Sequence, residues 1–198
     1  NVEYGAQVRR VLAGRPEVLY IPGLSSEGVA AAMRAADVLV VPSHAEASPL
    51  CILEAMSHRL PWMATPECDA AHEQAGGVVI PLVDFRRAVK LLMREPALRR
   101  TLGETGYAHW EACRQWSAVL EGWIELIKTG RLTRSYMMPP DLVERTTAQR
   151  QAFATQLGRA EPEFGGMTSV GSKLSICDVA KQTYGGGMSS EAFYVNLF

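Results

Sequence analysis

The sequence lacks an excess of charge of either sign. Its 20 lysine and arginine residues nearly balance 21 aspartate and glutamate residues, which leaves a formal net charge of −1. Nucleic acids and anionic membranes select strongly basic surfaces, so the charge gives no reason to expect either partner. No apolar run approaches the roughly 20 residues that a membrane-spanning helix needs. Composition therefore predicts neither a nucleic-acid-binding protein nor a membrane span.

Cysteine is also scarce, and its positions form no pattern. The four cysteines, at 51, 68, 113 and 177, include no C-x-x-C pair, the spacing typical of zinc sites and redox pairs. His72 and Glu73 are adjacent, but no third ligand follows at coordination spacing, so no metal site is predicted. Because nothing indicates a disulfide framework, we expect reduced thiols in a reducing compartment, the cytoplasm.

The sequence begins without a methionine or a signal peptide. Its first five residues have neither the basic nor the apolar stretch of a leader, so we expect a fragment, a processed product or a chain with its true start upstream. With 198 residues and 47% hydrophobic content, the chain is long enough for one globular domain with an appendage.

A strand–loop–helix–strand unit is the best-defined feature that the sequence does contain. Val38–Val41 is a valine-rich apolar run, typical of a strand buried on both faces. Ser48 is predicted to cap a helix whose first residue is Pro49, where the missing N–H costs nothing. The helix is predicted to continue over 50–57 and the next strand over 60–64.

The flanking patterns extend this alternation of strands and helices. A strand is predicted at 17–21, followed by a helix with Ser25 as its cap. Later patterns predict a strand at 76–81, a helix at 84–93, and further helix, in two pieces, at 96–128. The order strand, helix, strand, helix, strand indicates an α/β fold with a parallel sheet and right-handed crossovers.

Two glutamates frame the loop and the helix of the central unit. Glu46 lies in the loop after the strand, and Glu54 lies within the helix, with seven residues between them. Ligands of open α/β sheets bind beyond the C-terminal ends of the strands, and a helix N-terminus attracts phosphate. Carboxylates accept hydrogen bonds from sugar hydroxyls, so these residues predict a site for phosphate and sugar. The alternatives are a solvated helix glutamate and a capping-turn carboxylate.

The segment 36–65 resembles the donor-site signature of retaining GT-B glycosyltransferases that use nucleotide sugars. Related patterns, G-G-x-L-V-x-P at 76–81 and L-R-x-x-L-G-x-x-G at 97–106, extend the resemblance over about 16–128. The positions that carry the signature are Ala36-Asp37-Val38, Val40, Pro42-Ser43, Glu46, Glu54-Ala55-Met56, Pro61 and Ala64-Thr65.

The resemblance implies a domain organisation. Residues 1–128 would form a partial Rossmann-like GT-B C-terminal domain, a parallel sheet flanked by helices that lacks its first β/α units. Residues 129–198 fall outside the resemblance, and their own sequence predicts a mainly helical or irregular C-terminal extension of unknown role, with helices at 141–157 and 170–181.

The resemblance also assigns roles to individual residues. Glu54 would hold the nucleotide ribose, and Glu46 would contact the donor sugar and stabilise charge as the glycosidic bond breaks. The main-chain N–H groups of Ser48 and Leu50 would bind the diphosphate, because Pro49 has none. The implied donor substrate is a nucleotide-diphosphate sugar, from which a hexose passes with retention to an unknown acceptor. No cofactor is implied.

One part of the family's machinery lies outside this resemblance. Its diphosphate-neutralising Arg and Lys lie upstream of the segment, and Arg9, Arg10 and Arg15 are not convincing substitutes. We therefore expect an N-terminal domain or a companion chain to complete the cleft. Two alternatives stay open: a non-catalytic glycosyltransferase-like scaffold or interaction subunit, and a sugar-nucleotide epimerase.

Overall fold

A computed structural model describes residues 2–131, 137–158 and 193–195. Most of the described chain is helical, and a small sheet lies at its centre. In chain order the elements are α1 (Val2–Leu12), α2 (Ser26–Ala35), β1 (Val38–Val41), α3 (Leu50–Ser57), β2 (Trp62–Ala64), a 3₁₀ turn (Asp69–Glu73), β3 (Gly77–Val79), a second 3₁₀ turn (Leu82–Asp84), α4 (Phe85–Arg94), α5 (Pro96–His109), a π turn (Trp110–Arg114), α6 (Trp116–Thr129), α7 (Pro140–Gln156) and β4 (Phe193–Val195).

The sheet has the strand order β3-β2-β1-β4. Strands β1, β2 and β3 are parallel, with Leu39 opposite Trp62 and Met63 opposite Val78. Strand β4 pairs antiparallel with the other edge of β1. The three parallel strands with flanking helices confirm the predicted α/β class, and α3 is the crossover between β1 and β2.

Strand β1 is buried on both faces, as its valine-rich run predicts. Its side chains alternate between two hydrophobic clusters because successive residues of a strand point to opposite faces. Leu39 and Val41 pack with residues of α2 and α3 on one side. Val38 and Val40 pack on the other side with residues of α4, α5 and α7. The sheet therefore lies between two layers of helices.

The strand predicted at 17–21 does not form, and that prediction was wrong. The four apolar side chains at 18–21 are all exposed, up to 79% for Leu19. A strand is stabilised by a hydrogen-bonded neighbour and a packed face, and high β-propensity alone does not replace them. The main-chain N–H of Val18 instead donates to the Arg15 carbonyl in a turn.

Several predicted helices are confirmed. Ser25 caps α2, because its hydroxyl accepts a hydrogen bond of 3.1 Å from the Gly28 N–H. The helical segment predicted at 96–128 is indeed in two pieces, α5 and α6, separated by the π turn. Asp37 belongs to the signature at 36–65, and Arg99 belongs to the pattern at 97–106. The two side chains form an ion pair at 3.1 Å that joins the start of β1 to α5.

Helix α7 confirms the helix predicted at 141–157 and packs against the sheet. Phe153 and the following Leu157 enter the same cluster as Val38 and Met63. The helix predicted at 170–181 lies outside the described residues.

Helix α6 presents an apolar stripe to solvent. Its exposed side chains, spaced by three or four residues, are Trp116, Leu120, Trp123, Ile124 and Ile127. Trp62 of β2 is fully buried, whereas the two tryptophans of α6 are exposed. None of the helices that the structure describes combines the length and apolar character required to cross a bilayer.

Candidate functional site

The main chain of Glu46 is anchored to the loop that follows β2. The Glu46 N–H donates to the Glu67 carbonyl at 3.1 Å, and the Asp69 N–H donates to the Glu46 carbonyl at 3.0 Å. These bonds form a short parallel bridge between Glu46 and Cys68. The Thr65 hydroxyl donates to the Ser43 carbonyl nearby. The loops after β1 and β2 therefore meet at the C-terminal edge of the sheet.

The Glu46 side chain folds back on the start of α3. Its Oε1 atom accepts a hydrogen bond of 3.1 Å from the N–H of Ser48. Ser48 is not the helix cap that the sequence predicts: Pro49 is the N-cap residue, no side chain caps the helix, and α3 begins at Leu50. The reason is that Pro49 keeps an extended backbone, with φ −69° and ψ 103°, so Ser48 lies one residue too far from the helix to cap it. The Glu46 carboxylate therefore accepts a hydrogen bond from a main-chain amide two residues before α3 begins.

The first turn of α3 leaves a donor for a ligand. The Ile52 N–H bonds to the Pro49 carbonyl at 3.0 Å, whereas no acceptor among the residues that the structure describes takes the Leu50 N–H. Such orphan amides, together with the helix dipole, attract anions. Of the two amides predicted to bind diphosphate, that of Ser48 is engaged by Glu46 and that of Leu50 is available.

Glu54 lies on the exposed side of α3, one turn after Cys51. Burial first, and then the nearby Glu54 and Glu46 carboxylates, raise the pKa of the Cys51 thiol to about 12. Both carboxylates are therefore close enough to Cys51 to disfavour its thiolate. Neither is sealed in apolar packing, since Glu46 is half-buried and Glu54 is exposed.

A small pocket of about 60 Å³ opens beside the start of α3. The π turn after α5 brings Arg114 to this pocket, where its Nε atom is buried and has no hydrogen-bond partner among the described residues. The residues that line the pocket are Ser48, Pro49, Ile52, Leu53, Gln74 and Arg114. Sequence analysis missed Arg114, because no local pattern marks an arginine that only the helix interruption brings to α3.

A neutral histidine lies behind this pocket. Burial first, and then the Arg114 and Arg150 charges, lower the pKa of His109 to about 4. Its Nδ1 atom accepts the N–H of Ala75 at 3.1 Å, so Nε2 carries the proton. His109 thus fixes the chain next to Gln74 and adds no positive charge at pH 7.

The other titratable residues near the loop provide no metal site. His72 contacts the Pro66 carbonyl through Nε2 at 3.1 Å. Within residues 2–131, 137–158 and 193–195, no three His, Cys, Asp or Glu side chains are grouped so that they could hold a metal ion.

Residues 3–95 match a family model, Glycosyl transferases group 1. This segment is just under half of the chain and contains β1, α3, β2 and β3 with both candidate glutamates. The match supports glycosyl transfer as the general class of activity, and the small parallel sheet with its flanking helices fits a partial Rossmann-like GT-B domain. No curated protein and no solved structure matches the chain. Arg114 and α7 lie beyond the matched segment.

Proposed function

We propose that this chain is the donor-binding half of a retaining glycosyltransferase that takes a hexose from a nucleotide-diphosphate sugar. One observation carries the proposal: Ser48, whose amide bonds to Glu46, Pro49 at the start of α3 and Arg114 line one pocket beside the loop that follows β1 at the C-terminal edge of the sheet. This is the edge where open α/β sheets bind ligands, and its groups suit a sugar linked to phosphate.

In this proposal the diphosphate lies at the start of α3. The Leu50 N–H and the helix dipole bind one phosphate, and Arg114 neutralises charge on the departing diphosphate. Arg114 thereby supplies part of the positive charge that the resemblance assigns to residues upstream. The carboxylate of Glu54, on the same helix, accepts hydrogen bonds from the ribose hydroxyls.

Glu46 stabilises the sugar as the bond to the diphosphate breaks. The electron pair of that bond leaves with the diphosphate oxygen, and positive charge develops on the sugar ring. A preorganised carboxylate beside the ring stabilises that charge. In the structure the Glu46 carboxylate accepts the Ser48 N–H. A bound phosphate oxygen would compete for that amide and free Glu46 to face the sugar. An N-terminal domain or companion chain would contribute the acceptor side of the cleft.

Glu54→Ala should weaken nucleotide-sugar binding about tenfold, since it removes a charge-assisted hydrogen bond worth about 1.5 kcal/mol. Isothermal titration calorimetry with UDP-glucose, GDP-mannose and ADP-glucose would measure the dissociation constants. The matched control is Glu144→Ala, an exposed helix glutamate on α7, which should leave them unchanged. Wild-type affinity in the Glu54 variant would show that Glu54 does not bind the ribose.

Arg114→Gln should weaken binding of the nucleoside diphosphate by about 10- to 100-fold while affinity for the nucleoside changes little. The guanidinium interacts only with the phosphates, and charge-assisted bonds contribute about 1.5–3 kcal/mol. Titrations of UDP and uridine, or the corresponding guanosine and adenosine pairs, separate the two contributions. Arg145→Gln, on exposed α7, is the control. An equal loss for nucleoside and diphosphate would contradict the assignment.

A further inference from the structure

Arg150 of α7 is a buried cation that bonds only to main-chain carbonyls among its described partners. Its side chain is almost fully buried, with 6% relative exposure. Nε donates to the Gly77 carbonyl at 3.1 Å and Nη1 to the His72 carbonyl at 3.0 Å. Nη2 donates to the carbonyls of Ala71 at 3.1 Å and Gln74 at 2.7 Å.

These four carbonyls belong to the 3₁₀ turn Asp69–Glu73 and to the chain that leads from it into β3. The last carbonyls of a helical turn lack the continuing amides that would pair with them, and leaving such groups buried and unpaired is costly. The Ala71 carbonyl also accepts the Gln74 N–H, at 3.3 Å. One planar guanidinium donates to all four carbonyls at once, which a shorter side chain or one with a single nitrogen cannot do. Arg150 therefore holds the 69–73 turn against α7.

The other end of the same turn is bonded to Glu46. The N–H of Asp69, its first residue, donates to the Glu46 carbonyl at 3.0 Å. The Glu46 N–H in turn donates to the Glu67 carbonyl, two residues before the turn. The 69–73 turn thus connects a buried cation on α7 with the main chain of the candidate catalytic carboxylate.

We propose that Arg150 is a positioning residue that holds Glu46 in place through the 69–73 turn. The inference rests on the role proposed for Glu46, and it assigns part of the site's geometry to α7, outside the segment that matches the glycosyl transferase family model. Without Arg150 the turn and the chain after it lose four hydrogen bonds and shift, and the Glu46 main chain moves with them. Helix α3, with Glu54, contacts the turn only through the apolar packing of Ala71 among the described residues, so we expect it to move less than Glu46.

Amide hydrogen exchange on the full chain tests this coupling without any need for activity. In Arg150→Lys, which keeps the charge but has a single ammonium group, the amides of Glu46 and Asp69 should exchange at least tenfold faster. The amide of Met63 in β2 should exchange at its wild-type rate. The control is Gln149→Ala, because Gln149 donates to the Thr105 hydroxyl at 2.9 Å and holds α7 to α5 without touching the turn. This variant should leave the Glu46 amide unchanged.

Two results would overturn the proposal. One is an unchanged exchange rate at Glu46 and Asp69, and the other is the same acceleration at Met63, which would mean that Arg150 only stabilises the whole fold. If Arg150→Lys does not fold, amide hydrogen exchange of the wild-type chain at low urea concentrations tests the coupling instead. The amides of Glu46, Asp69 and α7 should then open together with one urea dependence, and separate opening refutes the coupling.

Steady-state kinetics adds a readout that a purely structural role would not produce. Arg150→Lys should lower kcat about tenfold and leave KM within about twofold, because Glu46 is displaced while the binding groups on α3 remain. A rise in KM at constant kcat would refute positioning of Glu46. These kinetics require the protein together with the N-terminal domain or companion chain that completes the cleft. Absence of wild-type turnover in that assembly would count against the proposed function alone, because the exchange experiment would still decide the coupling.

Discussion

Gly76→Ala is expected to lower the free energy of unfolding by about 3 kcal/mol. Gly76 has φ +85°, a left-handed conformation that costs other residues about 1–2 kcal/mol. A Cβ at this position would lie 2.4 Å from the Gly106 Cα and 2.8 Å from its N, and overpacking of this kind costs about 1–3 kcal/mol more. Because Gly76 has no side chain, the backbone of α5 packs directly against the backbone at the start of β3.

Gly130→Ala separates the two contributions to that loss. Gly130 has a similar φ of +67°, but a Cβ there would meet nothing within 4 Å. This variant should lose only the conformational part, about 1 kcal/mol. Urea unfolding followed by far-UV circular dichroism would measure both. Equal losses in the two variants would show that the contact with Gly106 does not limit packing.

Glu46→Gln is expected to lower kcat about 100-fold with little change in donor affinity. The substitution keeps the size of the side chain and an oxygen that can accept the Ser48 N–H, so the loop should keep its conformation. What it removes is the negative charge beside the developing positive charge, and loss of one preorganised group of this kind typically costs 100- to 1,000-fold in kcat.

The matched control for Glu46→Gln is Glu67→Gln. The Glu67 side chain is exposed on the adjacent loop, and only its carbonyl bonds to Glu46. Rates of sugar release from UDP-glucose, GDP-mannose and ADP-glucose should be near wild type in the control and strongly reduced in the Glu46 variant. Wild-type kcat in both variants would show that the Glu46 carboxylate does not contribute to catalysis. Donor binding without turnover in any variant would favour the non-catalytic scaffold.

The elements predicted correctly are those whose signals are local. Ser25 caps α2 because its hydroxyl reaches an amide three residues ahead, and this depends on few neighbours. The valine run of β1 predicts a strand buried on both faces, as observed. The order of strands and helices after α2 predicts the parallel sheet. The loop position of Glu46 and the helix position of Glu54 follow from the same local pattern.

The errors concern features that depend on distant parts of the chain. The segment 17–21 has a strand's composition but no neighbouring strand within the described part of the chain, and its side chains are exposed. Strand β4 is the reverse case: no strand is expected from the sequence at Phe193–Val195, yet this segment pairs with β1, more than 150 residues earlier. Ser48 fails as a cap because Pro49 keeps an extended backbone and takes the N-cap position, so the helix begins one residue later than predicted.

By itself, the sequence determined the α/β class, the core strand β1, the helices with local caps, and the two glutamates around α3. These depend on hydrophobic period, turn chemistry and residue spacing, which act over a few residues. Only the tertiary structure decided that Arg114 reaches the start of α3 and that Arg150 holds the turn bonded to Glu46. Both arginines come from later helical segments, and long side chains find distant partners only after those segments have packed.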